Sequence, residues 1–331
     1  MRVVERGSLH DCEHQVGGNH SPPRGECLTD GSVLYKPLGT DVRGEREVGF
    51  YAALEAEYGS DSWPEWVPRP ALGGEVRVRA LDESEGRYLA MEDVTGPYRE
   101  PCVADVKLGH RTWYSGMVKD GMEESELVDQ RRRKDAETGT RDAGVRLSGM
   151  QVYNRASQTM WRPGRAYTRR GGAGPERFQE DLHRFCALNG RTMKEVLPKV
   201  VAQVSAARSW LASSRFGKEW QMCSSSALIV YEGARGAPSA SVRVVLIDFA
   251  HAFPLDGAEE GEGGNQCLAG LDALLALVQD LLEQEPVTLA KDASLAPGSA
   301  NERALALLAK KQASGVMPVL DKSGKDRGYA A

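Results

Sequence analysis

The stretch PCVADVKLG, from Pro101 to Gly109, alternates apolar side chains with other residues at a period of two. This period is typical of a β-strand, whose successive side chains point to opposite faces. One predicted face is apolar, and the other carries Asp105 and Lys107, which project about 6.5 to 7 Å apart. Such a carboxylate and ammonium group can orient a hydroxyl group and neutralise a phosphoryl oxygen. An ion pair without a catalytic role is the alternative interpretation.

A second stretch, VRVVLIDFAH from Val242 to His251, places a carboxylate directly after an apolar strand. A carboxylate is costly in such a position unless it is paired or bound to a metal. Asp248 is followed by Phe249 and Ala250, close to the Asp-Phe-Gly sequence that holds Mg²⁺ in protein kinases. Asp248 is therefore a candidate Mg²⁺ ligand, and a capping aspartate is the alternative.

Nearer the amino terminus, the pattern predicts a short strand followed by a helix. Residues 32–36 alternate as in a strand, and the apolar spacing after Arg46 predicts a helix that stops at Gly59. Lys36 on this strand and Glu47 on this helix follow the order of the lysine–glutamate pair of protein kinases. A surface lysine without a catalytic role is the alternative interpretation.

The rest of the chain mixes predicted strands and helices. Strands are predicted at residues 75–81, 87–92, 144–153 and 224–233, and helices at residues 123–136, 175–188, 193–212 and 268–282. A chain of 331 residues allows one large domain or two lobes that share a cleft.

Composition and charge exclude several classes of protein. The net charge of −5 argues against general nucleic-acid binding, which needs a broad basic surface. We expect neither a secretion signal nor a membrane span, because no stretch has the required apolar length. Six cysteines without CxxC spacing favour reduced thiols and a location in the cytoplasm, the nucleus or both.

The positive charge is instead concentrated in short segments. Arg131, Arg132, Arg133 and Lys134 adjoin in a stretch that predicts a helix. A small polyanion needs only such a local basic pocket. A solvated helix face is the alternative interpretation of the same residues.

Several motifs together resemble the inositol polyphosphate kinase family. The two stretches quoted first supply PxxxDxKxG and IDFAH, and the pairing is specific. Further similar stretches are HQVGG (14–18), YKPL (35–38), REVGFY (46–51), MEDV (91–94), GVRLSGMQVY (144–153) and SSSALIVYEG (224–233). The resemblance covers about residues 14–282 and is closest to the inositol hexakisphosphate kinases. The multikinases are the alternative, and the trisphosphate 3-kinases are disfavoured because residues 109–144 leave no room for their long helical insertion.

The resemblance implies an α+β, protein-kinase-like fold of two lobes with ATP between them. The amino-terminal lobe would be an antiparallel sheet over residues 1–95. The larger α/β lobe would span residues 96–285, with a short inositol-phosphate-binding helical segment at residues 110–145. Residues 286–331 would form a partly disordered tail.

The same resemblance implies roles for individual residues. Those implied to bind ATP are Lys36, Glu47, Glu92, Val94, Asp105 and Asp248, with the backbone of Glu92 and Val94 meeting adenine. Those implied to bind the inositol phosphate are Lys107, Arg133, Lys134 and His251. Asp105, Lys107 and Asp248 would be catalytic, and Asp248 would also bind Mg²⁺.

The implied reaction is the transfer of the γ-phosphoryl group of ATP to an inositol polyphosphate. A hexakisphosphate kinase would make an inositol pyrophosphate, whereas a multikinase would act on lower inositol phosphates. A sensor that binds inositol phosphate without catalysis is the rival hypothesis from another class. The presence of Lys36, Asp105, Lys107 and Asp248 argues against such a sensor. ATP, Mg²⁺ and an inositol polyphosphate are thus the expected ligands, with no nucleic acid and no membrane as partners.

Overall fold

The computed structural model describes residues 1–16, 27–39, 41–80, 82–117, 121–168, 174–234, 236, 241–255 and 264–284. Met1–Leu282 form one compact unit, and the chain from Glu283 onward is assigned to a second unit. The predicted tail, residues 286–331, lies outside the described residues. Among the helices in the described ranges, none is both long enough and apolar enough to cross a membrane.

A six-stranded sheet forms the amino-terminal part of the first unit. Its strands are β1 (Arg2–Glu5), β2 (His10–Asp11), β3 (Leu28–Thr29), β4 (Val33–Pro37), β5 (Pro70–Arg79) and β6 (Glu85–Glu92). They lie in the order β1-β5-β6-β4-β3-β2, and only β1 and β5 pair in parallel. Helix α1 (Val42–Tyr58) follows β4; the Asp41 side chain accepts a hydrogen bond from Arg43 N at 3.0 Å at its start, and Gly59 ends it. The predicted order of strand and helix is confirmed.

A five-stranded antiparallel sheet forms the centre of the remaining part. Its strands are β7 (Pro101–Leu108), β8 (Val145–Asn154), β9 (Thr159–Trp161), β11 (Ser226–Glu232) and β12 (Val242–Ile247). They lie in the order β12-β11-β7-β8-β9, and β10 (Trp220–Met222) pairs separately with β13 (Ala252–Pro254). The helices are α2 (Glu124–Glu137), α3 (Thr140–Ala143), α4 (Arg165–Thr168), α5 (Pro175–Ala187), α6 (Met193–Ser213), α7 (Arg215–Lys218) and α8 (Gln266–Glu283).

Strand β7 lies in the middle of this sheet and is buried on both faces. Its apolar face, with Cys102, Ala104 and Val106, joins the main core together with side chains from α5, α6 and α8. The opposite face carries Asp105 and Lys107, which are also buried. The sequence pattern predicted the strand and its two faces, and burial of the charged face is an additional finding.

The outer edge of β12 is covered by groups that do not belong to a strand. Gln203 of α6 donates from Nε2 to Val242 O and accepts from Val244 N at 2.8 Å. Further along the strand, Leu246 N donates to Trp66 O at 2.6 Å. Trp66 belongs to the segment that connects α1 to β5, so this bond links the amino-terminal part of the unit to the five-stranded sheet.

The mixed α+β architecture agrees with the predicted fold class. The six-stranded sheet comes from residues 2–92 and the five-stranded sheet from residues 101–247. The predicted lobe boundary at residues 95 and 96 falls in the segment between these sheets and stays a prediction.

Candidate active site

A cleft opens between the two sheets. All six residues predicted to bind ATP line it: Lys36, Glu47, Glu92, Val94, Asp105 and Asp248. Apolar side chains such as Leu34, Met91, Leu228 and Ile247 line it as well. A pocket with apolar walls and a few converging charged groups suits a nucleotide, whose base is planar and whose phosphates are charged.

Lys36 of β4 lies between two carboxylates inside the cleft. Its Nζ is 2.7 Å from Glu47 Oε1 and 3.1 Å from Asp248 Oδ1. Glu47 is buried on α1, and its Oε1 also accepts a hydrogen bond from Phe249 N at 3.2 Å. Burial alone would lower the pKa of Lys36, but the two carboxylates raise it above its ordinary value. Lys36 is therefore an ammonium group, and the predicted lysine–glutamate pair is present.

Lys107 reaches the same carboxylate from the opposite side. Its Nζ lies 3.1 Å from Asp248 Oδ2 and donates to Ser224 O at 2.5 Å. Burial would raise the pKa of Asp248, yet the ammonium groups of Lys36 and Lys107 outweigh it and hold that pKa well below its usual range. One ionised carboxylate thus holds two ammonium groups next to each other, where both can contact an entering phosphate.

Asp105 lies beside Lys107 and Asp248, but unlike Asp248 it has a carboxylate oxygen without a partner among the described residues. It is buried on β7, and its Oδ1 has no hydrogen-bond partner among the described residues. Burial raises the pKa of Asp105, although the charge of Lys107 acts in the opposite direction. A buried, unpaired carboxylate oxygen that lines a cleft is a ready acceptor for a ligand hydroxyl group.

The backbone around Asp248 turns its side chain into the cleft. Asp248 has φ +69°, a left-handed conformation that aspartate tolerates better than most residues. The next residue, Phe249, stacks on Phe50 of α1 with a ring-centroid distance of 4.0 Å. Phe249 is thereby buried, whereas the Asp248 side chain stays 42% exposed.

The oxygen ligands present suit Mg²⁺. This ion is held by one or two carboxylates together with substrate phosphates rather than by an all-protein cage. Asp248 supplies an ionised carboxylate, and Asp105 supplies the unpaired oxygen beside it. Within the described residues, no group of three or more His, Cys, Asp or Glu side chains could hold a metal by itself. The site therefore fits an ion that arrives with the nucleotide.

The turn after β6 forms one wall of the cleft. Asp93 organises this turn: its Oδ1 accepts from Thr95 N at 2.9 Å and Oγ1 at 2.7 Å, and its Oδ2 accepts from Thr29 Oγ1 at 2.7 Å. The Glu92 carboxylate is paired with Arg243 of β12. Because that carboxylate is engaged, any contact from Glu92 to adenine would use its backbone, as the sequence comparison implied.

His251 lies next to the cluster of Lys36, Lys107 and Asp248 but is buried. Arg46 donates to the Tyr114 hydroxyl, which shares a hydrogen bond of 3.1 Å with His251 Nδ1. Burial lowers the pKa of His251 to about 4; Asp248 opposes this shift, whereas Arg131, Lys107 and Arg46 add to it. The ring is therefore neutral, and its predicted contact with the inositol phosphate stays a prediction.

The four consecutive basic residues, Arg131 to Lys134, lie on α2 and point in different directions. Burial raises the pKa of Tyr114 and lowers that of His251, and Arg131 is close enough to both groups for its charge to act in the lowering direction on each pKa. Arg133 is exposed, and its Nε contacts Asp129 O at 3.4 Å. Lys134 is only partly exposed. Arg131 thus faces the cluster, and the substrate contacts assigned to Arg133 and Lys134 stay predictions.

A buried ion pair fixes where α2 lies. Asp135 accepts hydrogen bonds from Thr112 N at 2.7 Å and Thr112 Oγ1 at 2.8 Å, and it pairs with Arg146 Nη1 at 3.4 Å. Thr112 follows β7 and Arg146 belongs to β8. These contacts tie α2 to the strand that carries Lys107.

Sequence reasoning missed several residues of the site. Arg46 lies inside the REVGFY motif, next to Glu47, but its direction could not be read from a helical pattern. The carbonyl group of Ser224 carries no side-chain signal at all. Gln151 lies within a quoted motif too, yet an isolated glutamine on a predicted strand indicates no function.

Comparison with known proteins assigns the chain to a family. Residues 88–279 match the model of the inositol polyphosphate kinase family. The inositol polyphosphate multikinase beta of Arabidopsis thaliana is 28% identical, over 82% of this chain and 93% of that protein. The inositol hexakisphosphate kinase 3 of Mus musculus is 27% identical, over 62% of this chain and 53% of that protein.

Two solved structures have the same fold. An inositol phosphate multikinase aligns with a TM-score of 0.53 and 24% identity, covering 71% of this chain and 99% of that one. A multikinase from S. cerevisiae, in complex with ADP and Mn²⁺, aligns with a TM-score of 0.51 and 20% identity, covering 76% and 100%. The predicted kinase-like fold class is confirmed. Because the family model matches more than half of the chain, the protein belongs to the inositol polyphosphate kinase family, whose members are phosphotransferases.

Proposed function

We propose that this protein transfers the γ-phosphoryl group of Mg-ATP to an inositol polyphosphate. The observation that carries the proposal is the group of Lys36, Glu47, Asp248 and Lys107, which are joined by contacts of 2.7 to 3.1 Å in the cleft between the two sheets. Phosphoryl transfer depends on positioning and on neutralising the charge of the transferred group, and these residues supply both. Membership of the family supports the same reaction.

The side chains of the site contact both substrates, the phosphoryl groups of ATP and the hydroxyl groups. Lys36 and Lys107 exchange one carboxylate partner for phosphoryl oxygens, to which each makes a charge-assisted hydrogen bond. Asp105 accepts a hydrogen bond from a hydroxyl group through its unpaired oxygen. Mg²⁺, held by Asp248 and the ATP phosphates, would neutralise charge on those phosphates.

The acceptor binds on the side of the cluster where positive charge accumulates. Arg46, Lys107 and Arg131 all lie close enough to His251 to lower its pKa. These three cations come from α1, β7 and α2. The proposed acceptor position next to His251 is therefore surrounded by positive charge from three elements. A polyphosphate needs such an arrangement in a protein of net charge −5.

Two finer proposals concern the acceptor. The motif spacing between residues 133 and 153 favours inositol hexakisphosphate and a pyrophosphate product. The long match to plant multikinases, over 93% of one such protein, favours lower inositol phosphates instead. Both fit the short segment between β7 and β8, whose described residues form the helices α2 and α3.

Product analysis distinguishes these possibilities. The purified protein is incubated with Mg-ATP and either inositol trisphosphate or inositol hexakisphosphate, and the products are separated. A product from the hexakisphosphate supports the pyrophosphate reaction, and a product from the trisphosphate alone supports the multikinase reaction. Binding of both ligands without any product would contradict catalysis and support a sensor.

The acceptor site is tested by comparing two arginines of α2. Arg131→Ala is expected to raise the KM for the inositol phosphate roughly tenfold or more, because a charge-assisted contact is lost. Arg133→Ala removes the same charge from the exposed side of the helix and is the matched control. The KM for ATP should stay near the wild-type value in both variants. A larger effect of Arg133→Ala would place the acceptor on the outer side of α2.

A further inference from the structure

Residues 12–16, here called the strap, cross from the six-stranded sheet to the five-stranded sheet beside the nucleotide cleft. Cys12 N donates to Cys27 O at 2.9 Å, which continues the pairing of β2 with β3. Two residues later, His14 Nδ1 lies 2.9 Å from Gln151 Nε2 on β8. Cys12, His14 and Val16 all line the cleft.

The hydrogen bonds of Gln151 fix the direction of its amide group. Gln151 is fully buried, its Nε2 donates to Pro101 O at 2.8 Å, and its Oε1 accepts from Arg162 Nε at 3.1 Å. The oxygen is identified by its arginine donor, because a guanidinium group has no acceptor. The second hydrogen on Nε2 therefore points at His14 Nδ1. His14 must accept this bond, so its Nδ1 carries no proton.

The strap also contacts the apolar floor of the cleft. Val16 packs against the cluster that contains Val94, Val103 and Val230. Gln151 lies directly opposite Val103 in the pairing of β7 with β8. The bond to His14 thus holds the strap over the strands on which a nucleotide would lie.

We propose that His14 and Gln151 are positioning residues that latch the strap across the nucleotide cleft, and that protonation of His14 opens the latch. The proposal rests on the proposed use of ATP and deepens it. A protonated Nδ1 would direct its hydrogen at the amide hydrogens of Gln151, and two donors repel each other. The latch is closed while His14 is neutral and helps to retain the bound nucleotide.

The electrostatic surroundings keep the latch closed at neutral pH. Burial and the charge of Arg162 lower the pKa of His14 from its ordinary value of 6.5, whereas Asp93 and Glu13 oppose this shift. These charged groups come from the segment after β9, the turn after β6 and the strap itself. Because the pKa of His14 lies below 6.5, its ring is neutral at pH 7.5. Most of the protein takes up a proton on His14 only when the pH is below 6.5.

The test is calorimetric binding of Mg-ADP to the full chain at pH 7.5, without inositol phosphate. His14→Ala is expected to weaken binding about fivefold, the effect of one neutral hydrogen bond. Gln151→Leu should weaken it at least as much, and His14→Ala decides the matter if Gln151→Leu fails to fold. His10→Ala, in β2 and outside the cleft lining, is the matched control and should bind as the wild type does. Equal affinities of the wild type and His14→Ala would overturn the latch.

The pH dependence separates a latch from a simple packing contact. The ratio of the dissociation constants of His14→Ala and the wild type should be about five at pH 7.5 and should decrease as the pH falls below 6.5. Titration of the nucleotide itself cancels in this ratio. A ratio that stays constant over this range would overturn opening by protonation. If the wild type failed to bind Mg-ADP at all, the proposed use of ATP would be overturned together with the latch.

Discussion

Asp248 holds Lys36 and Lys107 with its two carboxylate oxygens. It directly follows β12 and has a left-handed backbone conformation, and its neighbour Phe249 is anchored both by stacking and by the bond from its N–H to Glu47. The aspartate is therefore held in place from the backbone as well as from the side chain. A change of its charge alone should leave this geometry largely intact.

Asp248→Asn tests the charge without changing the shape. We expect kcat to fall on the order of a thousandfold, because the two ammonium groups lose their shared anion and Mg²⁺ loses its carboxylate ligand. Asparagine tolerates the left-handed backbone, so circular dichroism should show a folded protein. Asp272→Asn, which removes an exposed carboxylate from α8, should leave kcat unchanged. Near-normal turnover in folded Asp248→Asn would refute the assignment.

His251 gives the folded protein a measurable dependence on pH. Its pKa is about 4 in the folded protein and 6.5 ordinarily, so the unfolded chain takes up a proton first as the pH falls. The contribution of neutral His251 to the free energy of unfolding is fully present above pH 6.5 and is lost as the pH falls towards 4. The free energy of unfolding should decrease by at most about 1.4 kcal/mol per pH unit in this window.

Urea unfolding at pH 7, 6 and 5 measures this slope. His251→Gln keeps a hydrogen-bonding group for the Tyr114 hydroxyl and cannot titrate, so its slope should be shallower than that of the wild type. The contribution of His14 is shared by both proteins and cancels in the comparison. Identical slopes would show that His251 titrates normally in the folded state.

At the scale of elements, the sequence was informative wherever the hydrophobic pattern had a clear period. The alternation in Pro101–Leu108 predicted β7, and the helix after Arg46 ended at Gly59 as expected. The pattern could not predict that the charged face of β7 is buried. The groups that contact this face are far away in the sequence: Lys107 bonds to Ser224 O and Asp248, which lie more than 100 residues further along the chain.

Helix α2 shows why the direction of a charged helix was harder to predict. Four consecutive basic residues are spread around the helix at about 100° per residue, so only one or two can face the cleft. The segment has few apolar residues to define a buried side. Leu127 and Asp135 are its buried residues, and Arg131 lies four residues from each, on the same face. The position of Leu127 alone was a signal that favoured Arg131 over Arg133.

At the scale of the whole first unit, the two sheets are joined behind the cleft. Arg243 of β12 pairs with Glu92 of β6, and Leu246 N bonds to Trp66 O nearby. The cleft is therefore closed on this side by a backbone bond and an ion pair. The six residues predicted to bind ATP line one cleft although their motifs lie far apart in the chain, but these linking contacts had no sequence signature.

The covered edge of β12 also has a consequence for solubility. The strand VRVVLI is apolar and rich in β-branched residues, and an open edge of this kind recruits strands from other molecules. Gln203→Leu would expose the carbonyl of Val242 and the N–H of Val244 at that edge. We expect this variant to aggregate faster than the wild type in light-scattering measurements on gentle heating.

Ala202→Leu is the matched control, because it adds the same apolar side chain to an exposed position of α6 and leaves the edge covered. Equal aggregation of the two variants would attribute the effect to surface hydrophobicity alone. Faster aggregation of Gln203→Leu would mean that a single amide group prevents intermolecular strand pairing, by occupying the edge to which a second molecule would otherwise add.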